Sequence, residues 1–256
     1  MEKIQPPYIG VTGFMSAEDV NEVLKVVPAK TERKIMVGVL VSSKTMRGIP
    51  NKWPNRYPNV GKIAEIFPDN PVALNLVHFN TKDPDQLLAH MLEVTELSGK
   101  NFHGFQLNIK WPNPDAILEY KDKHPDKIIV LQCGEAALNE VHYDPAMLTL
   151  AAANYEHSCD YLLIDPSGGL GKKFNPLKGL DYLKHLNANL KKMRFGIAGG
   201  LSSDNIADMM YLIAEKFPNT SIDAEGNLRD ENDYLDVAKA KKFVSEAYNF
   251  FSKYEK

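Results

Sequence analysis

Cysteine is scarce in this chain. Cys133 and Cys159 are its only two, and no Cys-x-x-Cys pair occurs. A disulfide framework and a structural zinc site are both disfavoured, and a reducing cytoplasm is the expected compartment. Long apolar runs are also missing: none approaches the roughly 18 residues of a membrane span. The opening MEKIQPPYIG has no apolar stretch of the signal-peptide kind. Positive charge is not in excess, with 30 basic residues against 33 acidic ones, a net charge of -3 and a pI near 6.2. Without a basic stripe, nucleic-acid binding has no electrostatic footprint. His78, His103 and His142 lack helical His-x-x-x-His spacing and read as ordinary core or surface residues, so no metal site is expected. No Gly-x-Gly-x-x-Gly follows the first apolar run, which argues against a dinucleotide fold. No cofactor is expected.

What the chain does have is a regular alternation. Short, β-branched runs read as strands at Tyr8–Thr12, Lys34–Val41, Val72–Val77, Gly104–Asn108, Ile128–Gln132, Tyr161–Asp165, Arg194–Ala198 and Ser221–Ala224. Between and after them lie amphipathic helical stretches: Ala17–Val26, Val60–Phe67, Asp85–Leu97, Asp115–Lys123, Pro145–Glu156, Leu177–Leu190, Ser203–Lys216 and Asp233–Phe251. Eight strand–helix units in 256 residues predict a single (β/α)8 barrel domain spanning residues 1–256. A Rossmann-like open sheet is the alternative. One connection is unusual. Met46–Asn59, MRGIPNKWPNRYPN, carries three prolines and the aromatics Trp53 and Tyr57. It reads either as a rigid surface loop or as a lid or wall of a pocket.

In such a barrel the strand C-termini carry the site. Those ends deliver Thr12 and Gly13, then Lys44 and Arg47, His78 and Asn80, Gln106 and Asn108. Further round come Gln132 and Cys133, Asp165 with the Gly168–Lys172 loop, Gly199 and Gly200, and lastly Asp223, Glu225 and Gly226. Gly199-Gly200 ahead of a helix start suits a phosphate, because glycine lets backbone N–H groups approach an anion. The other reading is a sharp turn. Gly226 would supply the second half of the cup. Glu225 is then out of place unless it points outward or pairs with Arg229. Asp165 ends the apolar run Tyr161-Leu162-Leu163-Ile164. There it is either a buried general acid whose pKa desolvation raises or a turn cap.

Several of these segments resemble the phosphoribosylanthranilate isomerase family. Gly10-Val11-Thr12-Gly13 with Glu18-Asp19-Val20 is similar to its opening Lys-Ile-Cys-Gly…Glu-Asp-Ala. Ser43 to Ile49 is similar to its Ser-Pro-Arg-x-Val, and Phe105-Gln106-Leu107 to its Val-Gln-Leu-His-Gly. Leu163-Ile164-Asp165 with Gly168-Gly169-Leu170-Gly171-Lys172 resembles its Leu-Leu-Asp…Gly-Gly-Thr-Gly-Lys. Ala198-Gly199-Gly200-Leu201 matches its Ala-Gly-Gly-Leu, and Asp223 with Gly226 resembles its Val-Asp-Ser-Ser-Gly. The resemblance implies an Amadori-type aldose–ketose isomerisation of a phosphoribosyl amine in tryptophan biosynthesis. It implies Asp165 as the acid, Arg47, Gln106 and Asp223 on the substrate, and Gly171, Gly199, Gly200 and Gly226 on the phosphate. Thr12 stands where the family keeps its cysteine base, and Cys133 is the candidate substitute. That departure leaves two alternatives: a paralogue with another sugar-phosphate isomerase or lyase activity, or a non-catalytic phosphate-ligand-binding barrel. The implied partner is a phosphorylated small molecule, with neither nucleic acid nor membrane, in a monomer or homodimer.

Overall fold

Strands that are apolar on both faces must be covered on both faces, and the chain meets that demand by closing on itself. The computed structural model describes residues 5–167 and 174–254. Eight parallel strands form a closed barrel in chain order: β1 (Tyr8–Thr12), β2 (Lys34–Ser42), β3 (Ala73–Asn80), β4 (Gly104–Leu107), β5 (Ile128–Gly134), β6 (Tyr161–Asp165), β7 (Arg194–Ala198) and β8 (Ser221–Ala224). The helices are α1 (Ala17–Leu24), α2 (Ser43–Met46), α3 (Ile63–Ile66), α4 (Leu87–Ser98), α5 (Pro114–Lys123), α6 (Glu135–Glu140), α7 (Pro145–Ala153), α8 (Pro176–Asn189), α9 (Ile206–Lys216) and α10 (Val237–Phe251). The (β/α)8 expectation holds.

The period-2 alternation of a strand sorts its side chains. Ile9, Val11, Val37, Val39, Leu131, Cys133, Leu162 and Ile164 join the shell between strands and helices. Tyr8, Met36, Leu74, Leu76, Val130, Tyr161 and Leu163 form a separate cluster that fills the barrel interior. Just before β2, Arg33 is buried against the Phe251 ring and donates to the carbonyls of Thr220 and Pro218. Helix starts follow their side-chain caps. Ser16 accepts from the Asp19 amide. Asn113, Asp144 and Asn175 each cap a helix whose next residue is proline, a position where the missing N–H costs nothing.

Four strands, β1, β6, β7 and β8, have the expected bounds. β3 runs on through His78 to Asn80 and β5 through Cys133 to Gly134, because polar residues at a barrel mouth still belong to the ladder. α2 and α6 are short additions, the first held by a reciprocal Ser42–Thr45 capping box. The terminal helix starts at Val237, later than expected, since Asp230 first closes a turn by accepting from the amides of Asn232 and Tyr234.

Gly104 opens β4 with φ +150°, and a Cβ there would lie 1.9 Å from the carbonyl oxygen of Ile128. Gly104→Ala is expected to cost about 3 kcal/mol or more, combining overpacking with backbone strain. Urea denaturation of the variant against the parent chain measures it.

Candidate active site at the barrel mouth

The polar residues of the interior gather at the C-terminal ends of the strands and bond in series. Thr12 Oγ1 donates to Asp223 at 3.3 and 3.4 Å. Gln106 Nε2 bridges Asp223 Oδ2 at 3.0 Å and Gln132 Oε1 at 3.1 Å. Gln132 Nε2 donates to Asp165 Oδ2 at 2.8 Å. Asp165 Oδ1 accepts from the Ser167 amide at 3.0 Å and its hydroxyl at 2.6 Å. One chain of bonds thus crosses the lumen from β1 to β6. Two glycines make room for it. A Cβ on Gly10 would sit 2.6 Å from Asp223 Oδ1, and one on Gly38 would sit 2.6 Å from Thr12 Oγ1.

All members of this chain are buried. Burial raises the Asp223 carboxyl to about 7, with Glu225 and Asp165 adding to the rise while Gln106 and Thr12 oppose it. The raised carboxyl is thus the one on β8. Asp165 is held by three donors.

Thr12, Gln106, Asp165 and Asp223 come together as the sequence suggested. Asp165, Asp223, Gly199, Gly200 and Gly226 line one cleft of about 20 Å³, near the size of a single water. Gly199 and Gly200 both have positive φ, at 118° and 63°, so the turn does require glycine. The Gly200 carbonyl accepts from Asn205 and Asn227, each at 2.8 Å. Gly171 lies outside the described residues.

Two expectations are not met. Arg47 caps the end of α2 and turns outward, where its Nη1 meets Glu93 on α4 at 2.9 Å with both side chains largely in solvent. It does not line the mouth. Cys133 has the opposite strand parity from Gln132 and packs in the outer shell. Burial pushes its thiol far above the ordinary range, so it cannot supply a thiolate near neutrality.

Glu225 does not point away. It is held in a fork, Arg229 Nη2 at 2.8 Å and Arg56 Nη1 at 3.0 Å. Arg56 also pairs with Asp233 at 2.7 and 2.8 Å, and Asn55 donates to the Asn232 carbonyl at 2.9 Å. Of the two readings of Met46–Asn59, the geometry supports the wall. Trp53, Arg56 and Tyr57 line a cavity of about 290 Å³ together with Lys44, Lys82 and His78. Among the described residues, Lys44, Lys52 and Lys82 pair with no carboxylate, which leaves a cationic rim. Sequence reasoning missed Arg56, which sits in an aperiodic loop. It placed His78 at the mouth end of the third strand but read it as an ordinary core or surface residue.

The chain matches no protein-family model and no curated protein. Among solved structures it resembles phosphoribosyl anthranilate isomerase from Thermus thermophilus, at 14% identity over 94% of this chain and 98% of that one, with a TM-score of 0.62. The enzyme of the same name from Thermotoga maritima matches at 17% identity over 95% and 99%, TM-score 0.62. The catalytic domain of a chitinase from Pyrococcus furiosus also matches, at 11% over 96% and 98%, TM-score 0.57. Likeness at these identities establishes the barrel fold and leaves the chemistry to the site.

The raised Asp223 carboxyl has a consequence for stability. A carboxyl whose pKa is higher folded than unfolded stabilises the fold fully below about pH 4, and that contribution fades as pH rises to about 7. Asp223→Asn removes the titration. Relative to the parent chain it is expected to gain stability steadily between pH 4 and pH 7, by up to about 4 kcal/mol, as read from urea denaturation at fixed pH steps.

Proposed function

We propose that this barrel binds a phosphorylated aldose-like small molecule across its mouth and catalyses an aldose–ketose isomerisation, with Asp165 as the proton donor. One observation carries the reading. Asp165 lies beside Ser167 at the end of β6, wired through Gln132 and Gln106 to Asp223 and Thr12, and shares its cleft with the Gly199-Gly200 turn. A positioned acid next to an anion-compatible glycine turn is what ring opening of a sugar phosphate needs. Thr12 stands at the position of the family's base. Its hydroxyl has no useful basicity of its own, and here it donates to Asp223, so its role is to orient that carboxyl. The phosphate is expected on Gly199, Gly200 and Gly226, with the cationic rim of Lys44, Lys52 and Lys82 drawing the anion in.

A second reading is a barrel that binds such an anion without turning it over. Thr12 favours it, because a hydroxyl stands where the family keeps its base, and Glu225 brings a carboxylate to the glycine turn where the phosphate would sit. The two arginines on Glu225 offset that charge, which keeps the isomerase reading ahead.

Purified protein is expected to isomerise phosphoribosylanthranilate, followed by loss of the substrate's fluorescence. Asp165→Asn is expected to abolish turnover while leaving affinity for a phosphate-bearing product analogue within about threefold, since only a group acting on the transition state is lost. Parent protein that binds the analogue but never turns over the substrate establishes the second reading instead.

A further inference from the structure

His78 belongs to the inward face of β3. Its neighbours Val77 and Phe79 pack in the outer shell, and in register it lies between Leu40 of β2 and Gln106 of β4. The side chain is buried, and neither ring nitrogen makes a hydrogen bond of good geometry, although Gln132 lies close enough to bear on the ring. Native interiors seldom leave both nitrogens of a buried imidazole unmatched, and such a group calls for an occupant or a task. The ring lines the cavity of about 290 Å³ and also the cleft that holds Asp165 and Asp223. Those two carboxyls line only the smaller cleft. A ligand seated in the larger cavity and extending to Asp165 therefore passes the imidazole, whereas Asp223 borders only the smaller cleft and is tied to Gln106 and Thr12.

We propose that His78 is the catalytic base of this barrel, the residue that takes the carbon-bound proton in place of the thiolate that Thr12 cannot supply. The assignment rests on the isomerase reading. Asp165 first protonates the ring oxygen, and the amine lone pair opens the ring to an iminium. The C2–H bond then breaks, and its proton moves to an unprotonated nitrogen of His78. The electron pair becomes the C1=C2 bond of an enolamine, and the iminium π pair returns to nitrogen. The imidazolium delivers its proton to C1 while the enol O–H proton returns to the Asp165 carboxylate. Both side chains end as they began, and no oxidant or reductant is consumed.

The electrostatics agree with that geometry. Burial lowers the imidazole below its ordinary value, with Arg229 acting in the same direction. Glu225, Gln132 and Asp165 pull the other way and are outweighed. Arg56, Lys44 and Lys82 line the same cavity. The ring is accordingly a neutral acceptor near pH 7, the state a base must hold before the step.

The test is His78→Gln in the full chain with phosphoribosylanthranilate, with its melting temperature confirming the fold. His78→Gln is expected to lower kcat by about 10²–10⁴-fold, with KM within about threefold. It should also remove the acid limb expected in the parent's pH–rate profile, and added imidazole should restore part of the rate. A variant that keeps its kcat or its acid limb overturns the assignment and leaves the isomerase reading standing. If the parent chain fails to turn the substrate over, that reading falls instead, and His78 is judged by ¹⁵N NMR of its ring with ribose 5-phosphate as the probe. Movement of the ring resonances in Asp165→Asn as well as in the parent upholds the placement of His78 against the ligand, while its role as base falls with the isomerase reading. Resonances that stay fixed at saturating probe overturn that placement too.

Discussion

The structure of the mouth depends on a single row of hydrogen bonds laid across the lumen, from Thr12 through Asp223, Gln106 and Gln132 to Asp165 and Ser167. Side chains this polar are costly to bury unless matched. Matching fixes their rotamers, and with them the direction each carboxyl faces. Asp165 is presented at the opening because Gln132 and Ser167 hold it there. Asp223 is fixed by Thr12 and Gln106, which bind it from two sides. An interior built from apolar residues alone would be simpler to stabilise, but it would orient no proton donor.

The fold was largely legible in the residues, and the reason lies in the strands. A strand buried on both faces reads as a short unbroken apolar run, so Tyr161–Asp165 and Arg194–Ala198 stand out without any partner in view. Thr12, Gln106, Asp165 and Asp223 followed, since barrel geometry sends every strand end to one rim. Legibility failed where position depends on contacts distant in sequence. Arg47 and Arg56 lie in the same proline-rich stretch, and nothing local distinguishes the one that reaches Glu225 from the one that meets Glu93. Cys133 failed differently. It follows Gln132 by one residue, and with a period of two that single step moves a side chain from the lumen to the helix shell.

On the proposed isomerase reading the two cavities have different parts. The larger one has an aromatic and cationic lining that draws an anion toward the mouth, and its long loop is anchored to the β8 turn through Arg56, Asn55, Glu225 and Asp233. The smaller one carries the carboxyls and the glycine turn. His78 borders both. Such a division lets affinity and chemistry be tuned apart, the first by residues of the Met46–Asn59 wall and the second by the row beneath it.

Gly13 shows how far an omitted side chain can reach. Its φ of +118° and its bare Cα leave the space that the Arg229 guanidinium fills, 2.6 Å from where a Cβ would stand, and that guanidinium in turn holds Glu225. Any larger residue at this point would displace that cation and leave Glu225 to Arg56 alone. The charge presented on the β8 side of the opening is thus set partly from the β1 loop, by a residue with no side chain of its own.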